Sequence, residues 1–210
     1  VHDLAGKIGA TANLIVMAIH ALQLSEATNG PAVALGMTMR GRTDAVLEPL
    51  MGLFVNVVPV LIGIDPAISL REHVQNVRNV LIEAIGNQEV PFEHLSADPA
   101  FQAYQSRAGA FQSMYSFQDA RARRNAWGPL QHSRVSVMQK DSPADFGLWL
   151  IEVPEGMQGA INYRTSLWDQ STAQLFKERF LGLIERAVAN PEATLGELLS
   201  SPGEDRAGMA

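Results

Sequence analysis

The sequence predicts an α/β (α+β) fold in which helices pack a mixed β-sheet. Helical and strand patterns both recur along the 210 residues, but they do not alternate strictly. A hydrophobic fraction of 47% with 18% charged residues is typical of a globular chain. We therefore expect one domain over residues 1–199, followed by a tail at 200–210 whose composition is that of a linker.

The first part of the chain contains two predicted long helices and two predicted strands. Thr11 is a candidate N-cap for a helix that stops at Asn29, and Ser69 is a candidate cap for a second helix. Strand patterns lie at "PAVALGMTM" (31–39) and "LFVNVVPVLIGI" (53–64). The latter is apolar enough to be buried on both faces.

The second part begins with a short helix predicted at "EVPFEHL", which Pro99 ends. The polar segment 119–132 predicts a loop, and Asp169 caps a final long helix over 170–190 that a shorter helix follows. Four strands are predicted: "GAFQSMYSFQ" (109–118), "SRVSVMQ" (133–139), "FGLWLIEV" (146–153) and "QGAINYRTSL" (158–167).

The sequence contains no complete catalytic or metal-binding pattern. No G-x-S-x-G, G-x-G-x-x-G or phosphate-binding loop is present. Cys is absent, which excludes disulfides and thiolate sites and is typical of a reducing cytoplasm. The five histidines fall in no metal-ligand spacing, so we expect hydrogen-bonded or solvated side chains: His2, His20, His73, His94 and His132.

Charge and hydropathy argue against two classes of partner. The formal net charge of -6 gives no basic surface for nucleic acid. The apolar runs are too short to span a membrane, and no secretory signal pattern is visible. Because the chain starts at Val1 without an initiator Met, we expect either a processed chain or, in preference, a piece of a longer cytoplasmic protein.

Two local features point to contacts. Arg121, Arg123 and Arg124 form a basic patch, which is either a solvated loop or a contact for phosphate or an acidic partner. Asn56 places hydrogen-bonding groups in an apolar run, either to tie down the adjacent backbone or to line a site. Pro59, in the same run, fits a strand at the edge of a sheet.

Four motifs, in order, resemble those of nonribosomal peptide synthetase condensation domains. The family patterns are Gly-Arg followed by G-x-F-V-N-T-x-P-x-R, then H-Q-D-V-P-F-E-x-L, then S-R-N-P-L-F-Q-V-M-F-x-x-Q-N, and finally F-D-L-x-L with L-x-Y-x-x-x-L-F-D. The matching segments are "GRTDAVLEPLMGLFVNVVPV" (41–60), "NQEVPFEHL" (87–95), "SRAGAFQSMYSFQD" (106–119) and "DFGLWLIEVPEGMQGAINYRTSLWD" (145–169).

The resemblance implies an enzyme of two lobes, each similar to chloramphenicol acetyltransferase, with a tunnel between them. Carrier domains deliver substrates on phosphopantetheine, and the acceptor amine attacks the donor thioester to form a peptide bond. The signature H-H-x-x-x-D-G belongs to the first lobe, and this sequence has no adjacent His pair. The resemblance therefore implies the C-terminal lobe over residues 1–199, inactive alone and without a directly bound cofactor. Its implied partners are the N-terminal lobe, carrier domains and an adenylation domain.

The matched positions imply roles for individual residues. Arg42 is expected to pair with Glu48, and the hairpin "IEVPEGMQGAI" (151–161) to cross to the other lobe and expose an apolar face. The basic patch at Arg121, Arg123 and Arg124 is the implied carrier-docking surface. The implied substrate-channel residues are Asn56, Phe54, Gln118 and Ser116. The implied structural motif residues are Arg42, Glu48, Gly52, Pro91, Phe92, Glu93, Arg107 and Asp145.

The sequence also departs from the family patterns. Leu61 stands where the family has Arg, Asn87 where it has His, and the Asp of F-D-L is either displaced to Asp145 or replaced by Gly147. The departures are compatible with a divergent condensation subtype. Two other functions stay open: a non-catalytic module that docks carrier domains, and an ester-forming acyltransferase of the same superfamily.

Overall fold

A computed structural model describes residues 1–102, 111–122, 126–131, 142 and 144–200. As predicted, it contains a mixed β-sheet packed by helices. Its helices are α1 (His2–Ile8), α2 (Ala12–Thr28), α3 (Leu70–Gly86), α4 (Phe92–Ser96), α5 (Pro99–Gln102), α6 (Gln170–Ala189) and α7 (Leu195–Leu199). Its strands are β1 (Ala32–Met39), β2 (Asn56–Gly63), β3 (Ser113–Asp119), β4 (Ala126–Trp127), β5 (Leu130–Gln131), β6 (Phe146–Val153) and β7 (Gly156–Tyr163).

The main sheet has five strands in the order β2-β1-β3-β6-β7. Its centre is parallel, because β3 runs parallel to both β1 and β6. Its edges are antiparallel, because β2 pairs with β1 and β7 with β6 in that sense. Strands β4 and β5 form a separate hairpin within the segment for which the sequence predicts only a loop.

Helices α2, α3 and α6 pack on one face of the main sheet and enclose the main core. Alternate strand residues such as Leu35, Val60, Tyr115 and Leu148 point into this core. A smaller cluster, named here the aromatic cluster, lies on the opposite face, as expected from the alternation of strand side chains. It contains Phe111, Met114 and Ala144, with Val57, Phe92 and Phe101 packed against them.

The predicted helix ends are confirmed where the signal is a local hydrogen bond. The side chains of Thr11, Ser69 and Asp169 each accept a hydrogen bond from the backbone N–H of the residue three positions later. Asn29 ends α2 in the left-handed region at a φ of 51°. Pro99 does not simply end the preceding helix, since it begins α5. Helix α1 has no counterpart in the sequence prediction.

Strand β2 differs from its prediction in extent and burial. It begins at Asn56 instead of Leu53, and only one of its faces is fully buried, the face that packs with α3 in the main core. Val58 is buried and Leu61 is exposed. The edge position accommodates Pro59, which has no backbone donor, as predicted. The strand predicted at 133–139 lies outside the described residues.

Two histidines are buried in the core, and both are accounted for by packing or hydrogen bonding. His20 stacks with Tyr115 and Phe146, and burial lowers its pKa to about 3. His73 Nε2 lies 3.2 Å from the Ala18 carbonyl oxygen, and burial lowers its pKa as well. Both are core side chains.

Within the described residues, no single helix is long and apolar enough to cross a bilayer. Helices α1 and α2 meet the length and composition criteria only when taken together, and they meet at a bend of 93°. Most of α2 is buried beneath α3 and α6 as part of the main core.

Candidate functional site

The segment that joins β1 to β2, residues 40–55, is named here the motif loop. Its two ends touch at Gly41 and Phe54. Gly41 has a φ of 62°, and a Cβ added to it would stand 1.8 Å from the Phe54 carbonyl oxygen. Glycine alone tolerates both this conformation and this approach, so closure of the loop requires the glycine that precedes Arg42.

Arg42 holds the interior of the motif loop. Its guanidinium donates to the carbonyl oxygens of Leu47 and Leu50, the latter at 2.8 Å. The same group lies 4.3 Å from the centroid of the Phe54 ring, within the range of a cation–π contact. A planar guanidinium with several donors suits this arrangement better than an ammonium would. Arg42 therefore fixes the shape of the loop.

The predicted pair between Arg42 and Glu48 is wrong. Glu48 accepts a hydrogen bond from Arg40 at 2.7 Å, and both of these side chains are largely exposed, so their pairing contributes little to stability. The sequence could not distinguish the two arginines because only one residue separates them. Gly52 lies beside Phe54, since a Cβ on it would stand 3.0 Å from the Phe54 ring.

Asn56 joins the motif loop to the connection between α3 and α4. Its side-chain amide donates to the carbonyl oxygens of Gln88 and Val90 at 2.8 and 2.7 Å. The Thr43 hydroxyl makes a second link by donating to Glu89 at 2.5 Å. Of the two roles left open for Asn56, a tie to backbone is present, but the expected partner is wrong, because the amide binds carbonyl groups 32 and 34 residues away instead of the adjacent backbone. Its role in a channel stays a prediction.

The connection from α3 leads into α4, where three matched residues lie. Pro91 is the N-cap residue of α4, and Glu93 is exposed in the first turn, where a negative charge favours the helix dipole. The Phe92 ring lies 5.0 Å from Phe111 and 6.0 Å from Phe101 in the aromatic cluster. Phe92 therefore anchors α4 to the aromatic cluster.

The outer surface of the motif loop is apolar although the loop is internally fixed. Met51 is fully exposed and Leu53 is 92% exposed. The exposed apolar side chains of the loop are Val46, Leu50, Met51, Leu53 and Val55. The hairpin at 151–161, for which an exposed apolar face is expected, has no large exposed hydrophobic residue, because Met157 and Ile161 pack against the main core. That expectation is wrong.

The four predicted channel residues form two separate pairs. Phe54 lies near the end of the motif loop and Asn56 begins β2, whereas Ser116 and Gln118 lie on β3. Strand β1 separates β2 from β3 in the sheet. Ser116 is half-buried and Gln118 is exposed. Both alternate with Tyr115 and therefore lie on the sheet face opposite the main core. The structure does not test their role in a channel.

Arg121 forms a charged cluster with partners from three elements. It binds Asp119 with Nη2–Oδ2 at 2.6 Å and Nε–Oδ1 at 3.0 Å. These hydrogen bonds lower the pKa of Asp119 to about 2. Arg121 Nη1 also lies 3.3 Å from Oε1 of the buried Glu152, and His2 Nε2 lies 2.5 Å from the same oxygen, although neither is aligned as a hydrogen bond.

A cavity of about 530 Å³ opens beside this cluster, next to the carboxyl ends of β3 and β6. Its lining includes Asn13, Phe117 and Asp119. The sequence prediction missed Glu152, because a carboxylate near the end of an apolar strand does not reveal its distant partners. Docking of carriers on Arg121 stays a prediction, and Arg123, Arg124 and Arg107 lie outside the described residues.

Asp145 is half-buried and joins β6 to the segment after β7. Arg164 Nε lies 3.5 Å from its Oδ1, and the Arg164 backbone N–H donates to the Asp145 carbonyl oxygen at 3.0 Å. Asp145 thus continues the β6–β7 pairing beyond Phe146 and Tyr163. No group of three or more His, Asp or Glu side chains among the described residues could hold a metal ion.

Sequence comparison relates the chain to much longer synthases. The chain is 29% identical over 194 residues to surfactin synthase subunit 1 of Bacillus subtilis (strain 168), a match that covers 92% of this chain and 5% of that protein. It is 27% identical over 199 residues to tyrocidine synthase 3 of Brevibacillus parabrevis, a match that covers 94% of this chain and 3% of that protein. The chain therefore spans a small fraction of these relatives.

Solved structures share the fold. The condensation domain of the monacolin K polyketide synthase MokA has a TM-score of 0.77 at 20% identity, over 92% of this chain and 45% of that chain. The X-domain in complex with OxyB, from teicoplanin biosynthesis, has a TM-score of 0.75 at 22% identity, over 97% of this chain and 45% of that chain. A model of the family described as "Condensation domain" matches residues 1–209. The chain belongs to the condensation domain family.

Proposed function

We propose that residues 1–199 form the C-terminal lobe of a nonribosomal peptide synthetase condensation domain that joins a carrier-bound acyl or peptidyl donor to an aminoacyl acceptor through an amide bond. Two facts support this assignment. The chain spans 45% of a solved condensation domain with the same fold, and its sequence lacks the adjacent His pair expected in the other lobe. The lobe would be inactive by itself.

The observation that carries the proposal is the construction of the motif loop. Gly41 and Arg42 hold it in one shape, and Asn56 ties it to the connection before α4. A loop that is fixed internally but exposes Met51 and Leu53 has the properties of a contact surface. If the chain is the C-terminal lobe, the partner at this surface is the N-terminal lobe. The loop would then form the floor of the tunnel between the lobes.

The proposed partners follow from the same assignment. Carrier domains would present substrates on phosphopantetheine, and no cofactor would bind to this chain directly. The chain also shares its fold, at a TM-score of 0.76, with a four-domain nonribosomal peptide synthetase solved with AMP and glycine. We assign residues 200–210 as a linker toward a neighbouring domain, such as an adenylation domain, and the whole assembly to the cytoplasm.

The test combines this chain with a separately produced N-terminal lobe and two carrier proteins. One carrier is loaded with an acyl thioester and the other with an aminoacyl thioester, and products are followed by mass spectrometry. We expect an amide product only when both lobes are present. The control replaces the second His of H-H-x-x-x-D-G in the N-terminal lobe by Ala, which should abolish the product.

The other outcomes distinguish the alternatives. A product formed only with a hydroxyacyl acceptor would indicate the ester-forming acyltransferase. Binding of carriers without any product, in the presence of a folded N-terminal lobe, would indicate the docking module. Failure of the two lobes to associate and to form any product would contradict the proposal.

A further inference from the structure

We propose that Trp149 is a substrate-contacting residue whose indole binds an uncharged, carbonyl-bearing apolar segment of the carrier-borne substrate. This inference rests on the proposed function, because it extends the predicted channel position at Ser116 across the sheet. It starts from strand register. Trp149 of β6 pairs directly with Ser116 of β3 and with Ala160 of β7, so these three side chains form one row across three strands.

The row lies on the sheet face opposite the main core. Leu148 and Leu150, the neighbours of Trp149 in β6, pack with the main core, so the Trp149 side chain points to the other side. A Cβ added to Gly147 would stand 3.0 Å from Trp149 Nε1 and 3.8 Å from Met114 Cβ. Since Met114 belongs to the aromatic cluster, the indole extends along that second face, in the space that Gly147 leaves free.

The polar groups of this row are available to a ligand. Trp149 and Ser116 are both half-buried. Within the described part of the chain, neither the indole N–H nor the Ser116 hydroxyl makes a hydrogen bond, and the indole nitrogen is not among the buried unpaired atoms. An indole N–H with an accessible edge usually finds an acceptor at a binding surface. A carbonyl oxygen of a ligand would satisfy it.

The next row of the sheet defines the class of ligand. Ile151 pairs with Gln118 and Gln158, which gives the surface a further apolar side chain flanked by amides. None of the six side chains in the two rows is ionisable, although 18% of the residues in the chain are charged. A neutral surface with one indole, one Ile and the Gln158 amide fits an apolar group with amide or thioester carbonyls, and it offers nothing to an ion.

The test uses pantetheine carrying an S-hexyl thioether, which is uncharged, resists hydrolysis and contains two amides. Binding to the full chain is followed by the ¹H–¹⁵N resonances of the indoles of the three Trp residues. We expect the Trp149 indole to shift with saturation as the probe is added. The Trp168 indole should not, because it packs with Phe146 and Phe176 on the main-core side.

Two variants and a control sharpen the result. Trp149→Leu should weaken probe binding about fivefold to tenfold through loss of the ring contact and the N–H donor. Gly147→Ala should weaken it while retaining the indole, because the new Cβ displaces the ring. Trp168→Phe is the matched control and should bind as the unmodified chain does. Melting temperatures of all three verify folding.

The results separate this inference from the proposed function. Saturable binding that leaves the Trp149 indole unshifted, or that persists unchanged in Trp149→Leu, would overturn the inference even if the two-lobe mixture forms an amide. Absence of saturable binding at millimolar probe would overturn it as well. If the Trp149 indole shifts with the probe but the two-lobe mixture forms no product, the contact at Trp149 is upheld and the proposed function fails.

Discussion

Asn56 shows how one polar side chain at a strand end organises a distant segment. Both hydrogens of its amide are used by carbonyl oxygens 32 and 34 residues away. From the sequence, an asparagine in an apolar run is recognisable as unusual, because burial of an unpaired amide is costly. Its partners could not be predicted, since they depend on where α3 ends relative to β2.

Replacement of Asn56 by Ala should destabilise the chain by about 1–3 kcal/mol, because two carbonyl oxygens lose their donor. Urea unfolding, followed by circular dichroism, measures the change. Asn76, which is exposed on α3, provides the control, and Asn76→Ala should cause no loss. If Asn56→Ala unfolded at the same urea concentration as that control, the amide would not be the tie that the geometry indicates.

His20 predicts how stability depends on pH. Its folded-state pKa is about 3, below the value of about 6.5 for an unfolded His. Below pH 6.5 the unfolded chain therefore binds a proton that the folded chain does not. The contribution of His20 to the free energy of unfolding is fully present above pH 6.5. It is lost as the pH decreases toward 3, by up to about 1.4 kcal/mol per pH unit for one such group. Burial of His73 acts in the same direction.

The measurement is the free energy of unfolding between pH 7.5 and pH 5 for the unmodified chain and for His20→Gln. The variant should show a shallower decline below pH 6.5, whatever its absolute stability. His94→Gln removes an exposed His and should leave the decline unchanged. Equal declines in all three proteins would show that His20 is protonated without unfolding.

The motif loop is the element in which local and distant interactions combine. Its glycine and arginine are recognisable as a motif in the sequence, but the contacts that require these two residues are tertiary. Gly41 is required by the carbonyl group of Phe54, thirteen residues later, and Arg42 binds carbonyl oxygens instead of the expected carboxylate. Helix caps such as Thr11 are predictable because donor and acceptor lie within one turn. The pairing partners of strands and the contacts of loops are not predictable in this way, because they join residues that are distant in sequence.

Gly41→Ala should destabilise the loop by about 1–3 kcal/mol, because Ala rarely adopts a positive φ and its Cβ would overlap the Phe54 carbonyl oxygen. Hydrogen exchange of the amides in residues 42–56 should accelerate more than exchange in the core helices. Gly86→Ala is the control, since a Cβ there meets no atom within 4 Å, and it should be neutral or slightly stabilising. Equal exchange in the two variants would contradict the proposed closure.

At the scale of the whole molecule, the periodicity of the sequence predicts the fold class, but it does not predict which apolar residues are exposed. Mixed helical and strand periodicities predict a sheet packed by helices, and the structure has one. Helix α1 and the β4–β5 hairpin were missed because short elements carry little periodic signal. The sequence predicts an exposed apolar face on the 151–161 hairpin, but the exposed apolar side chains lie on the motif loop, because exposure depends on packing that the sequence does not reveal.

The central claim is that the motif loop is the surface through which this chain joins the other half of a condensation domain. The measurement is the affinity of this chain for a separately produced N-terminal lobe, determined by isothermal titration calorimetry for the unmodified chain and for Met51→Ser/Leu53→Ser. Both side chains are exposed, so the variant should keep its melting temperature. We predict that it binds at least about tenfold more weakly, since the apolar burial is lost. Equal affinities for the unmodified chain and the variant would contradict the claim.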